Sequence, residues 1–108
     1  QVFHNQMKIT DQMIERYYDL VHREGNMDVF ARIANSNYKQ NTHLLTRLKI
    51  PTLLLWGSKD NWIKPKHASY FEKDLRNVKL KIYDNVGHVP MEEIPEESAK
   101  DVMEFLKN

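Results

Sequence analysis

The chain has 108 residues, 16 Lys+Arg against 15 Asp+Glu for a formal charge of +1, and 41% hydrophobic residues. That is room for one ordinary globular domain and too apolar for a disordered chain, and the evenly mixed charge argues against a dedicated nucleic-acid or polyanion binder. With no Cys there is no disulfide framework and no cysteine-based zinc site, and the longest apolar run, Thr52 to Trp56, is far too short to span a bilayer.

The lack of Cys fits a cytoplasmic location. The chain opens Gln-Val-Phe-His-Asn, with neither an initiator Met nor a signal-peptide pattern, so a processed or excised piece of a longer protein is expected. No internal repeat or low-complexity tract is visible.

Thr10 can cap a helix running through Glu24, with Met13, Ile14, Tyr17, Tyr18 and Val21 on one face. Gly25 stops it, and Asn26 can cap a second helix over about 27–36, with Met27, Phe30, Ala31 and Ala34 as its stripe. A short helix or turn is expected over Thr42–Leu48. Character changes near Ile50. The run Ile50-Pro-Thr-Leu-Leu-Leu-Trp56, ended by Gly57, predicts a strand covered on both faces, as in a parallel sheet. Pro51 then sits at its start, where a missing N–H does least harm.

Pro65 can open a helix to about Leu75, with Ala68, Phe71 and Leu75 facing inward. Val78, Leu80 and Ile82 alternate with Lys79, Lys81 and Tyr83, which predicts a second strand near a sheet margin. Pro95 opens a last helix, with Ala99, Val102, Met103 and Leu106 as its inner stripe. Strand, helix, strand at this spacing is a βαβ unit, and ligand chemistry in such sheets gathers beyond the carboxyl ends of the strands.

Those ends carry Gly57-Ser-Lys-Asp60-Asn-Trp62 and Asp84-Asn-Val-Gly-His88-Val89-Pro-Met-Glu-Glu93. On adjacent parallel strands, Asp60 and His88 would emerge at the same sheet edge. A carboxylate there can fix the imidazole tautomer and stabilise the imidazolium that forms when histidine acts as a general base; losing such an Asp costs about 10⁴ in rate in a serine-protease triad. Asp84 is the rival acid, but it lies on the histidine's own loop. Ser58 follows a strand and a Gly yet lies on the acid's loop, so it reads as a turn residue. His4, His22, His43 and His67 show no metal-ligand spacing, and no cofactor is implied.

Together the two segments, Ile50-Pro-Thr-Leu-Leu-Leu-Trp-Gly-x-x-Asp60 and Val86-Gly-His88-x-Pro-x-Glu-Glu, resemble the C-terminal part of the α/β-hydrolase superfamily. The nearest branch is the one with a helical cap: esterases and lipases, carbon–carbon bond hydrolases, epoxide hydrolases and haloalkane dehalogenases. The resemblance implies an α/β fold in which residues 41–108 are the C-terminal part of the core, with its two last parallel strands and flanking helices. Residues 1–40 would then be a partial helical cap. It implies Asp60 as the triad acid, His88 as the base, and Trp62 and Val89 beside the substrate pocket. The separation of 28 residues from acid to histidine is typical of the family.

No G-x-S-x-G occurs; the serines are Ser36, Ser58, Ser69 and Ser98. The resemblance therefore implies a nucleophile, Ser or Asp, elsewhere in a full-length hydrolase, and no turnover by this chain alone. The expected partners are a small-molecule substrate, and either the missing N-terminal half or a second copy pairing along the Ile50–Trp56 strand edge; neither nucleic acid nor a membrane span is expected. The competing classes are a non-catalytic hydrolase-like interaction module and a free-standing βαβ binding domain. An upstream G-x-S-x-G, its counterpart with Asp at the centre, or the absence of either would separate the hydrolase from the interaction module, and whether this chain folds alone would discriminate the free-standing domain.

Overall fold

A computed structural model describes residues 2–37 and 41–107. The chain divides into two compact units, Gln1–Lys8 with Asn41–Asn108, and Ile9–Gln40. The sequence expectation of residues 1–40 as one piece is therefore corrected at its first eight residues. The backbone there bonds to the far end of the chain: His88 N–H donates to the Val2 carbonyl at 2.7 Å, and the His4 and Asn5 N–H groups donate to Glu93. No local pattern reveals a pairing between segments so far apart in sequence.

In the smaller unit, α1 (Asp11–His22) is capped as expected, with Thr10 Oγ1 accepting from the Met13 N–H at 3.2 Å. It ends at His22, two residues earlier than predicted. His22 Nδ1 donates to the Tyr18 carbonyl at 2.8 Å, and its ring stacks on Tyr18. Gly25 takes φ +83°, the left-handed conformation that lets the chain reverse. Asn26 is the first residue of α2 (Asn26–Ala34) instead of its cap, and its side chain bonds back to the Leu20 carbonyl. No side chain of either helix is buried, and Ile14, Tyr18, Met27, Phe30 and Ile33 are each more than half exposed.

The larger unit runs through a 3-10 turn (Thr42–Arg47), β1 (Thr52–Gly57), a 3-10 turn (Pro65–His67) leading directly into α3 (Ala68–Asp74), β2 (Val78–Tyr83), the one-turn α4 (Pro90–Glu93) and α5 (Pro95–Leu106). The strands are parallel and adjacent, in register from Thr52 opposite Val78 to Gly57 opposite Tyr83. This is the βαβ order expected from the pattern, with α3 as the crossover helix.

The core is small. Phe3, Ala68, Leu75, Tyr83 and Val86 are its buried apolar residues. Leu53–Trp56 are half-buried, not covered on both faces as the sequence suggested, and among the described residues β1 has a strand neighbour on one side only. Lys79 and Lys81 on β2 are exposed, in keeping with a marginal strand.

The expected inner stripe of α5 is also corrected. Ala99, Val102, Met103 and Leu106 face outward, whereas Ser98 is 3% exposed and Asp101 and Phe105 are half-buried. Positions 98, 101 and 105 share one helical face. On that face Tyr83 Oη donates to Asp101 Oδ2 at 2.8 Å, tying the end of β2 to α5. Burial, reinforced by the Asp101 carboxylate, pushes the Tyr83 phenol far above its ordinary value. No described helix is long and apolar enough to cross a membrane.

Candidate active site

The two strands end level, Gly57 opposite Tyr83, and the loops beyond them are stitched together. Ser58 N–H donates to the Tyr83 carbonyl at 2.8 Å and Lys59 N–H to that of Val86 at 2.9 Å, which carries the ladder past the sheet. Ser58 Oγ donates to Asp84 Oδ1 at 3.0 Å and accepts the Asn85 N–H at 2.9 Å. Asn85 adopts φ +55°, a left-handed turn conformation that asparagine tolerates better than most residues. At Gly57 the backbones nearly touch: a Cβ there would lie 2.0 Å from the Gly87 carbonyl oxygen.

This stitching brings Asp60 and His88 together. His88 Nδ1 lies 2.8 Å from Asp60 Oδ2. Asp60 is 3% exposed, and its other oxygen, Oδ1, accepts the N–H groups of Trp62 at 2.8 Å and Ile63 at 2.9 Å. Burial pushes the Asp60 carboxyl up. The hydrogen bond from His88, the two backbone donors and the histidine's charge together outweigh burial and hold it below the ordinary carboxylate range.

An ionised carboxylate can only accept, so Nδ1 carries the proton. In the neutral imidazole Nε2 is then left with its lone pair. The imidazole is partly open to solvent, at 28% side-chain exposure. The arrangement is thus an oriented imidazole with a free basic nitrogen, backed by a buried anion able to stabilise the imidazolium.

Trp62 and Val89, the two expected pocket residues, follow the two members of this pair in sequence, Trp62 two residues after Asp60 and Val89 directly after His88. The Trp62 ring is 5.3 Å from the His88 ring between centroids and is well exposed. Val89 is half-buried, and its carbonyl accepts the N–H groups of Glu92 and Glu93, so it opens α4. Asp84, the rival acid, is exposed and engaged with Ser58 and Asn85.

From the sequence, Glu93 is expected to serve only the loop and the entry to the last helix. It is 2% exposed, and its carboxylate accepts three backbone N–H groups, from His4, Asn5 and Gly87. A carboxylate between Pro90 and Pro95 was the only signal available, and its partners lie at the other end of the chain.

A family model described as the alpha/beta hydrolase fold matches residues 3–95. Lipase 1 of Psychrobacter immobilis is 31% identical over 83 residues, 77% of this chain and 26% of that protein. Monoacylglycerol lipase ABHD6 of Mus musculus is 26% identical over 102 residues, 92% of this chain and 30% of its own length. A solved structure of a membrane phospholipase A, described as a bacterial virulence factor, superposes with a TM-score of 0.79 at 29% identity, over 98% of this chain and 34% of that one. The chain spans about a quarter to a third of the length of these relatives. On the family match, and on an acid and a histidine meeting beyond two parallel strands, the chain belongs to the alpha/beta hydrolase fold family.

Proposed function

We propose that this chain supplies the general base, His88, and its orienting acid, Asp60, to a hydrolase that cleaves carboxylic esters of lipid-like acyl groups through a nucleophile–His–acid triad. The observation that carries this reading is the 2.8 Å contact between Nδ1 and Oδ2 at the carboxyl ends of neighbouring strands. The names of the relatives, a lipase, a monoacylglycerol lipase and a phospholipase, favour an ester over an epoxide or halide.

In this family the nucleophile precedes the acid and the histidine in chain order. None of Ser36, Ser58, Ser69 and Ser98 sits in G-x-S-x-G, so the nucleophile belongs to a preceding part of the protein. His88 Nε2 takes the hydroxyl proton as the nucleophile attacks the ester carbonyl. The imidazolium, stabilised by Asp60, then protonates the leaving alkoxide. Water deprotonated by the same nitrogen attacks the acyl-enzyme; the acyl–oxygen bond breaks, the imidazolium returns its proton to the nucleophile's oxygen, and the carboxylic acid leaves. Trp62 walls the imidazole on one side, and Val89 borders the same pocket. Residues Ile9–Gln40 form part of a helical cap, and the open edge of β1 receives a further strand from the rest of the protein.

The test is hydrolysis of short- and long-chain esters by the full-length gene product and by its His88→Ala and Asp60→Asn variants. Losses of about 10⁴-fold or more in kcat are expected for both. Undiminished turnover by His88→Ala refutes the assignment. Epoxide opening or dehalogenation without esterase activity refutes the substrate class.

A further inference from the structure

We propose that Glu93 is a positioning residue for His88: by binding the N–H groups of Gly87, His4 and Asn5 it clamps the Val2–Asn5 segment onto the histidine loop and so holds the imidazole against Asp60. This deepens the triad reading and rests on it.

The geometry is that of a clasp. Oε2 accepts from Gly87 N–H at 2.8 Å and from His4 N–H at 3.0 Å, while Oε1 accepts from Asn5 N–H at 2.8 Å. One carboxylate therefore bonds both layers, the loop that carries the histidine and the segment lying against it. The second layer returns the grip, because the His88 N–H donates to the Val2 carbonyl at 2.7 Å. The two consecutive N–H groups that lead into the imidazole are thus both tied, one by Glu93 itself and one by the segment that Glu93 anchors.

The layers meet without slack. A Cβ on Gly87 would come within 2.3 Å of the Val2 carbonyl oxygen, 2.7 Å of His4 N and 3.0 Å of Glu93 Oε2. A charge buried at 2% exposure is costly unless fully satisfied, and an apolar side chain would fill the same space at lower cost. Three converging backbone N–H donors satisfy it, and Lys8, which donates to the Glu93 backbone carbonyl at 2.7 Å, places a positive charge nearby. What a carboxylate does here and an apolar side chain cannot is fix three backbone atoms at once. Catalytic groups need such fixing to within about 0.5 Å.

The experiment compares Glu93→Gln with the unmodified full-length protein. The amide retains one acceptor oxygen and presents an NH₂ to a backbone N–H. Three quantities are read: the NMR signal of the His88 Nδ1 proton bonded to Asp60, the split between kcat and KM, and the melting temperature. The expected result is loss or broadening of the Nδ1–H signal and a fall in kcat of about 10- to 100-fold with KM little changed, in a protein that remains folded. A folded variant that melts earlier but keeps the Nδ1–H signal and kcat overturns the proposal, since packing alone would then describe Glu93. If the Gln variant does not fold, Glu93→Asp, which keeps the charge and shortens the reach, is read in the same way. The NMR signal does not depend on turnover. Activity persisting in His88→Ala would sink the base assignment while leaving the clasp to be judged on the Nδ1–H signal.

Discussion

Replacing Gly57 by alanine tests whether the two loops tolerate only one spacing. The added Cβ would lie 2.0 Å from the Gly87 carbonyl oxygen, 2.3 Å from that of Val86 and 2.7 Å from the Val86 carbonyl carbon. All three are backbone atoms, so no side-chain rotation relieves the overlap. Real Cβ contacts essentially never fall under 3.0 Å, so the histidine loop must retreat from the acid loop by about 1 Å even at the tightest admissible packing.

Retreat is blocked from behind, where Gly87 already abuts Val2 and is bonded to Glu93. The displacement must instead be taken up by the bond from Lys59 N–H to the Val86 carbonyl and by the 2.8 Å contact between His88 and Asp60. Overpacking of this kind costs about 1–3 kcal/mol, and a misplacement of about 1 Å costs roughly 10² in rate. The assay is a thermal melt of the full-length protein paired with ester hydrolysis, and both the melting midpoint and kcat are expected to fall. An alanine variant with the original midpoint and the original kcat would show that the loops reach their positions by some other constraint.

Two further outcomes follow. Ser58→Ala removes the hydroxyl that bonds Asp84 and Asn85 and is expected to cost about 1 kcal/mol in stability while leaving ester turnover within a few-fold of its original value; abolished turnover would make Ser58 part of the chemistry. Acid should weaken the fold through Asp60 and Glu93. Burial pushes each carboxyl up, but hydrogen bonds and a nearby cation outweigh it, so both titrate below their unfolded values. As pH falls the unfolded chain takes up these protons first. The stability they supply is therefore complete above the unfolded carboxylate range, about pH 4–4.5, and is lost as pH falls through the folded values. Urea midpoints that stay level down to about pH 5 and then decline support this, and midpoints that rise on acidification contradict it.

What could be read from the sequence was local in character. Thr10, Gly25, Pro65 and Pro95 mark helix ends through backbone preferences that act within a few residues, and alternation along Val78–Ile82 marks a strand for the same reason. Asp60 and His88 were legible because parallel strands bring their following loops to one edge, so chain position implied proximity. Hidden were the features set by distant partners. The Val2–Asn5 segment and Glu93 find each other across almost the whole chain. Helix α5 turns Ser98, Asp101 and Phe105 inward instead of its most apolar stripe, and Asp101 on that face accepts the hydroxyl of the buried Tyr83, a partner set by β2 and not by the helix's own pattern. The covered faces expected of β1 failed since alternation and run length describe a strand but not how many neighbours it has.

The chain leaves its larger unit after Lys8 and rejoins it at Asn41, making the helical hairpin an excursion spliced into a frame that closes without it. Every hydrogen bond described around Asp60, His88 and Glu93 joins residues of that frame. The hairpin therefore adds none of the described hydrogen bonds that hold Asp60, His88 and Glu93 in place; their alignment is set within the frame.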